Sequence, residues 1–275
     1  MSINNYVLIR GGGDLASGVA LRLYRAGIKV LITELANPLA VRRAVSFAEA
    51  VFEGTHEVEG VKAKLIEADQ LSAWSDADVI PVLIDSNADV LSTIHFPVVV
   101  DARLIKQAPA PLPADVPLHI GLGPGFSAGS NCHAVIETRR SHTLGRVIWD
   151  GPTQPDSGQP EGDTRRVLRA PNDGIVIAHA NIGDDLEEGQ VVAEIQSKIE
   201  NRKSKIESPF NGVLRGLIRG GMTVTKGLKI GDVDPRGDKS ACYLVSDKAL
   251  AIGGGVLEAI LSKKEIRGRI YSKVV

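Results

Sequence analysis

The first forty residues constrain the fold more than any other stretch. An apolar run, Val7-Leu8-Ile9-Arg10, feeds Gly11-Gly12-Gly13-Asp14-Leu15-Ala16-Ser17-Gly18, an amphipathic stretch to Gly27, and a second apolar run from Ile28 to Leu35. This pattern predicts strand, glycine turn, helix and strand. Gly11-x-Gly13-x-x-Ala16 fits the glycine pattern of turns that cradle a pyrophosphate, and Glu34 falls 21 residues beyond Gly13, where an acid suits a ribose hydroxyl. Each residue type has a physical job. Gly11 makes the tight turn, Gly13 lets backbone approach a phosphate, and Ala16 lets helix and sheet pack closely. Gly12 and Asp14 complete the loop, and the helix N-terminus offers N–H groups to an anion. A second reading stays open: Asp14 at the helix start could itself fill the anion position, leaving a turn that holds no nucleotide.

Composition narrows the rest. A chain of 275 residues suggests about two domains. Hydrophobic content of 43% and charged content of 24% are ordinary for a globular protein. A net charge of −1 and only 4% aromatics give no reason to expect nucleic acid or an anionic membrane as partner. No apolar run reaches the ~18 residues needed to span a bilayer. The opening Met1-Ser2-Ile3-Asn4-Asn5 lacks the basic start and apolar core of a signal peptide. Cys132 and Cys242 stand far apart without C-x-x-C spacing, so neither a disulfide framework nor a cysteine-rich metal site is expected. These features predict a cytoplasmic, two-domain protein, with a symmetric homodimer as the default oligomer.

Further along, Asn37-Pro38 predicts a helix running to about Val51, with Asn37 as N-cap and Pro38 as first helical residue. His56 to Glu67 reads as a strand pair. Val79 to Ile84, Val98 to Asp101 and Leu118-His119-Ile120 read as buried parallel strands. Residues 1–150 are therefore expected to form a Rossmann-like, doubly wound α/β sheet. Ligands of such sheets sit at the carboxyl ends of strands. That places Gly11 to Asp14, Asp101-Ala102-Arg103 and Gly121 to Gly125 around one crevice. Residues 151–164, rich in proline and glycine, read as a linker or surface loop. Residues 247–275 read as a helical tail that Asp247 could cap. Gly253 to Gly255 would break it into two pieces or, less simply, form a second anion loop.

Between linker and tail lies an internal repeat. Ala170 to Ile177 aligns with Ser208 to Arg215 at an offset of 38 residues, and Pro171, Gly174, Gly183 and Gly189 match Pro209, Gly212, Gly221 and Gly227. Neither half could bury its apolar face alone, so the two are expected to interlock over residues 165–246. The sequence Ala170-Pro171-Asn172-Asp173-Gly174, with Gly183-Asp184-Asp185-Leu186-Glu187-Glu188-Gly189, resembles the biotinyl/lipoyl carrier fold, which implies a small barrel-sandwich hybrid. A working carrier displays its modified lysine in a short motif between the halves. Lys198, Lys203 and Lys205 lie there without that motif, so no covalent biotin or lipoyl group is expected.

The densest polar stretch runs from Gly121 to Arg146. Gly121, Gly123 and Gly125, with Ser127, offer flexible N–H and hydroxyl groups to a phosphate or carboxylate. If the next stretch is a strand, His133, Val135, Glu137 and Arg139 share a face. Arg139 could then hold an anion while His133 and Glu137 carry protons. The plain alternatives are a packing Cys132, a packing His133 and a Glu137–Arg139 ion pair. Cys132, His133 and Glu137 are thus candidate catalytic residues, and no metal site is expected.

Several segments together resemble one family. They are Val7 to Ala20, Val99-Val100-Asp101-Ala102-Arg103, Gly121 to Gly129, Ile136-Glu137-Thr138-Arg139, Leu144 to Ile148, Ile230-Gly231-Asp232-Val233-Asp234-Pro235-Arg236 and Ala251 to Ala259. This combination resembles the YqeB family, associated with selenium-dependent molybdenum hydroxylase systems. The first half is also similar, more distantly, to the XdhC accessory proteins. The resemblance implies an accessory or maturation role for a molybdenum hydroxylase client. A nucleotide, NAD(P) or a molybdopterin-type cofactor would then bind in the first half. Two alternatives stand beside it: an NAD(P)-dependent oxidoreductase or sulfur/selenium transferase acting on the cofactor, and a non-catalytic interaction module.

Overall fold

Strand β1, Val7–Arg10, is buried along its whole length, and its last residue is a buried arginine. From it the computed structural model builds two units, 1–38 with 46–156 and 245–275, and 39–45 with 157–244. Described are residues 5–156, 158, 162–197 and 203–271. Met1 to Asn4, part of the expected linker (157 and 159–161) and Lys198 of the expected carrier hairpin lie outside the described residues.

In the first unit, β1 leads through α1 (Asp14–Arg25) to β2 (Val30–Glu34). Then come α2 (Ala50–Glu53), β3 (Thr55–Val58), β4 (Val61–Ile66), β5 (Val79–Ile84), β6 (Val98–Asp101) and β7 (Leu118–Leu122). Short strands β8 (Ser127–Ala128), β9 (Ala134–Ile136), β10 (Val147–Ile148) and β11 (Gly151–Pro152) follow, and helices α3 (Asp247–Ser262) and α4 (Lys264–Tyr271) close the unit. Nine strands form one sheet in the order β10-β9-β7-β6-β1-β2-β5-β4-β3. Its centre is parallel, and its edge pairs β10–β9 and β3–β4 are antiparallel.

A doubly wound sheet needs helical crossovers on both faces, and this one lacks them. Among the described residues, the β1–β2 crossover runs through the three turns of α1, and the β2–β3 connection holds only the single turn of α2. The β4–β5, β5–β6 and β6–β7 connections hold short 3-10 turns and irregular chain. One face packs Leu8, Leu31, Leu83 and Val99 against Leu71, Val90, Leu91 and Phe96 from those connections. The expected Rossmann-like architecture is thereby corrected to a large mixed sheet. The helix expected from Pro38 to Val51 is also absent. The chain leaves the first unit at Leu39 and returns at Ser46. On the way, Arg42 donates to the carbonyls of Ala241 and Leu244, and Arg43 to that of Leu217. These anchors hold the segment in 3-10 turns, Arg43–Val45 and Phe47–Glu49, ahead of the single turn of α2.

The second unit comprises β12 (Val167–Arg169), β13 (Gly174–Ala178), β14 (Asp185–Leu186), β15 (Val191–Gln196), β16 (Lys203–Glu207), β17 (Gly212–Leu217), β18 (Thr223–Val224) and β19 (Lys229–Asp234). They form two antiparallel sheets, β12-β19-β17-β14 and β16-β15-β13-β18. The repeat is visible strand by strand. β13, β14 and β15 correspond to β17, β18 and β19, and each half supplies strands to both sheets. A Cβ on Gly174 would meet the Gln196 carbonyl at 2.3 Å, and one on Gly212 the Asp234 carbonyl at 2.6 Å, the same close approach 38 residues apart. Leu168, Val176, Val192, Ile195, Leu214 and Ile230 fill the shared core. The carrier-type barrel-sandwich hybrid expected from the sequence is corrected to two small antiparallel four-stranded sheets, with no strand among the described residues hydrogen-bonded into both.

The C-terminal glycines neither break the helix nor make a loop. α3 runs unbroken through Gly253, Gly254 and Gly255, and its N-cap is Ser246, which accepts from the Ala249 N–H; Asp247 is the first helical residue. The glycines let backbones touch. A Cβ on Gly253 would meet the Gly18 carbonyl of α1 at 2.7 Å, and one on Gly255 the Gly145 carbonyl at 2.0 Å, while Gly254 faces open space. Gly255→Ala is therefore expected to lower the melting temperature sharply, and Gly254→Ala to raise it, since alanine is favoured over glycine in a helix by about 1 kcal/mol. Thermal unfolding of both variants checks this; equal effects would contradict it.

Candidate functional site

The sheet sets three of the expected strand ends side by side. Arg10 of β1 is in register with Asp101 of β6, and Asp101 with Gly121 of β7. The Asp101 carboxylate is buried, and two guanidinium groups meet on it. Arg10 contributes a bond of 3.4 Å from a buried side chain. Arg103 contributes two, at 2.8 and 2.6 Å, from a side chain left 32% exposed. Two guanidinium groups thus share the Asp101 carboxylate, and Arg103 is the more exposed of the two. Arg10 also donates to the Ser86 carbonyl beyond β5.

The first glycine loop lies next to this pair. Gly11 adopts φ +93°, and its N–H donates to the Thr33 carbonyl. Glu34 bonds inward, accepting from the Gly12 N–H at 2.6 Å and the Leu35 N–H at 2.7 Å. Burial raises its carboxyl above the ordinary carboxylate value, and these two N–H bonds oppose that rise. Gly12 is covered by the chain itself. Its carbonyl accepts from the Ala48 N–H, and a Cβ there would lie 2.8 Å from the same nitrogen. Ser17 ties the lid down by donating to the Gly12 carbonyl and accepting from the Phe47 N–H. Gly13 differs: a Cβ there would meet nothing within 4 Å. Asp14 opens α1, and Ala16 is buried, as close packing of helix on sheet requires.

Packing occupies most of the second glycine loop. Gly121 leaves room for the Phe126 ring, which a Cβ would strike at 2.1 Å. A Cβ on Gly125 would strike the Ile105 and Gln107 carbonyls at 2.6 Å, and the Gly125 N–H donates to Ile105. Gly123 turns the chain at φ +91°. Asn131 pins the loop, accepting from the Ser127 N–H and donating to the Gly125 carbonyl.

The face expected to hold His133, Glu137 and Arg139 is not formed, because β9 covers only Ala134–Ile136. His133 and Arg139 are exposed, whereas Glu137 is buried. The Glu137 carboxylate accepts from the backbone N–H groups of Arg139 and Gln154, at 2.7 and 2.8 Å, and so fastens a turn. Cys132 packs with Phe126, Ala128 and Val135, and burial pushes its thiol up to about 11. At neutral pH such a thiol is protonated and a poor nucleophile. Among the described residues there is no group of His, Cys, Asp and Glu able to hold a metal ion, and no helix long and apolar enough to cross a membrane.

His119 carries a second polar feature of the site. It lies on β7 two residues before Gly121, buried, with Nε2 unpartnered and the Phe126 ring edge-on at 5.9 Å. Burial, the largest effect, pushes its imidazole down to about 4, against the pull of Asp101. A polar residue inside the apolar run Leu118 to Leu122 was the available sequence signal, as was Arg10 at the end of β1.

No family model matches the chain. The chain is 46% identical over 260 residues to "Uncharacterized protein YqeB" of Escherichia coli (strain K12), covering 93% of this chain and 47% of that protein. It thus spans about half the length of the curated relative it matches, and the identity supports the YqeB family. Similar solved structures include an aspartoacylase family protein of Mesorhizobium loti, 11% identical with a TM-score of 0.27 over 83% of this chain and 84% of that one. The product-bound ectoine utilization protein EutE (DoeB) of Ruegeria pomeroyi is 13% identical, with a TM-score of 0.28 over 83% and 84%. A succinylglutamate desuccinylase/aspartoacylase of Rhodobacter sphaeroides is 18% identical, with a TM-score of 0.24 over 32% and 30%. Superpositions this loose carry no argument about activity.

Neutral, buried His119 has a pH signature. Its folded value lies below the ordinary 6.5, so the unfolded chain binds the proton more readily. The stability it permits is complete above pH 6.5 and falls as pH drops toward 4, by on the order of 3 kcal/mol. Urea denaturation across that window is expected to show a shallower pH slope for His119→Gln than for the parent chain. Identical slopes would contradict the buried neutral imidazole.

Proposed function

We propose that this chain binds a phosphate-bearing cofactor, of nucleotide or molybdopterin type, at the carboxyl ends of β1, β6 and β7, and serves as an accessory or maturation factor for a molybdenum hydroxylase. One observation carries the binding reading: the Asp101 carboxylate holds two guanidinium groups, and it orients Arg103, whose side chain is 32% exposed, toward solvent. Arginine is the side chain best matched to phosphate oxygens. Open space at Gly13, at the start of α1, gives an anion room to approach backbone N–H groups. The residues that would hold a phosphate are therefore Arg103 and the backbone around Gly13. A bound cofactor of this kind would supply the redox or group-transfer chemistry, and the chain would supply binding and orientation.

The role as accessory factor rests on the family resemblance and extends to a client enzyme as partner. The protonated state of Cys132 supports this reading over sulfur or selenium transfer, which needs a thiolate. The Glu34 bonds to Gly12 and Leu35 support a mode other than the usual ribose contact of NAD(P) enzymes.

Thermal-shift titration with NAD, NADP, ATP and molybdopterin tests the proposal. At least one ligand is expected to raise the melting temperature, and Arg103→Gln to weaken its affinity tenfold or more, in keeping with the ~1.5–3 kcal/mol of a charged hydrogen bond. No shift with any of the four, or a shift that survives Arg103→Gln, would overturn it.

A further inference from the structure

β2 and β5 stop pairing before they reach their amino ends. Their ladder runs from Ile32 with Val82 to Glu34 with Ile84, although β2 begins at Val30 and β5 at Val79. The residue before Val82 is Pro81, which has no N–H to give to a ladder. Around Val30, Val79 and Ile80 lies a cavity of about 310 Å³. It sits at the opposite end of the strands from the crevice, and its size suits a small ligand.

The cavity has apolar walls and a distinctive set of polar groups. Tyr6, just ahead of β1, lines it while only 4% exposed, and its hydroxyl makes no hydrogen bond among the described residues. Asp76 and Asp78 also line it, and both are exposed, so they stand at its mouth. Asp76 accepts from the Asp78 N–H at 3.0 Å, and neither carboxylate forms an ion pair among the described residues. Tyr24 donates to the Asp78 carbonyl at 3.1 Å, which ties that side of the mouth to α1. Burial raises the Tyr6 phenol above its ordinary value, and Asp76 adds to the rise, so the acid lies within electrostatic reach of the phenol. Lys29 shares the lining, with its Nζ 5.5 Å from the centroid of the Tyr6 ring. An aromatic face attracts a cation in this way.

We propose that this cavity binds a small organic cation, an ammonium group on a compact apolar body. The ammonium meets Asp76 and Asp78, whose carboxylates are acceptors without a cation of their own. The apolar body lies against Val30, Val79 and Ile80, and the Tyr6 hydroxyl supplies a further acceptor oxygen. Charge-assisted bonds to two carboxylates favour an ammonium over a neutral amide or alcohol of the same shape. A carboxylate on the same body is disfavoured, because it would face both acids. The site lies within the first unit and owes nothing to Arg103 or the glycine loops.

Isothermal titration of the full chain, at fixed ionic strength, with 2-phenylethylamine, isopentylamine and 3-phenylpropionate tests this. Saturable binding is expected with at least one amine and not with the anion. Tighter binding of 2-phenylethylamine would identify an aromatic body, and tighter binding of isopentylamine an aliphatic one; either supports the site. The double variant Asp76→Asn/Asp78→Asn, which alters exposed side chains, is expected to weaken amine binding by roughly tenfold or more. Asp115→Asn, an exposed acid outside the cavity, and Arg103→Gln are expected to leave it unchanged. The proposal is overturned if neither amine binds saturably or if 3-phenylpropionate binds as tightly. It is equally overturned if the double variant binds like the parent chain, or if Asp115→Asn weakens binding as much as the double variant does.

Discussion

Asp101 is a carboxylate that the first unit cannot leave unpaired. It ends β6 in the middle of a nine-stranded sheet, where an isolated charge would cost several kcal/mol. Arg10 from β1 and Arg103 from the following turn neutralise it, so neighbouring strand ends are locked in register around one carboxylate. Gly121 of β7 lies abreast of it, and His119 and Cys132 both feel its charge. The orientation of Arg103, the partly exposed cation of the proposed site, follows from how the buried acid is neutralised.

The same device recurs in the second unit. Asp232 and Asp234 are buried, and each meets more than one cation. In both units the acid orients and the base is presented. Glycine serves a different end from the one its motifs suggest. Gly12, Gly121, Gly125, Gly253 and Gly255 admit backbone or ring atoms where a Cβ would collide, while Gly13 alone in the first loop faces open space.

Much of the strand pattern was legible in the sequence. β5 and β6 occupy the two short apolar runs, and the 38-residue repeat reappears as matched strands. Arg10, Asp101 and Gly121 lie abreast, because parallel strands share a carboxyl edge. Local patterns failed where distant backbone decided the outcome. The helix after Pro38 yields to carbonyls that capture Arg42 and Arg43 from about 200 and 170 residues away. Gly253 to Gly255 stay helical because Gly18 and Gly145 pack against them. Likewise, the inward bonds of Glu34 and Glu137 depend on N–H groups that no side-chain pattern displays. The doubly wound sheet was misread because alternating apolar runs do not reveal whether a connection is a helix or a set of 3-10 turns.

The most direct test of the strand-end site is hydrogen–deuterium exchange of the full chain with and without saturating ATP, NADP or molybdopterin. Slowed exchange is expected with at least one ligand, appearing together in the segments around Gly11 to Leu15, Ala102 to Ile105 and Leu122 to Ser127. Exchange unchanged in all three segments with every ligand, or protection confined to other parts of the chain, would contradict it.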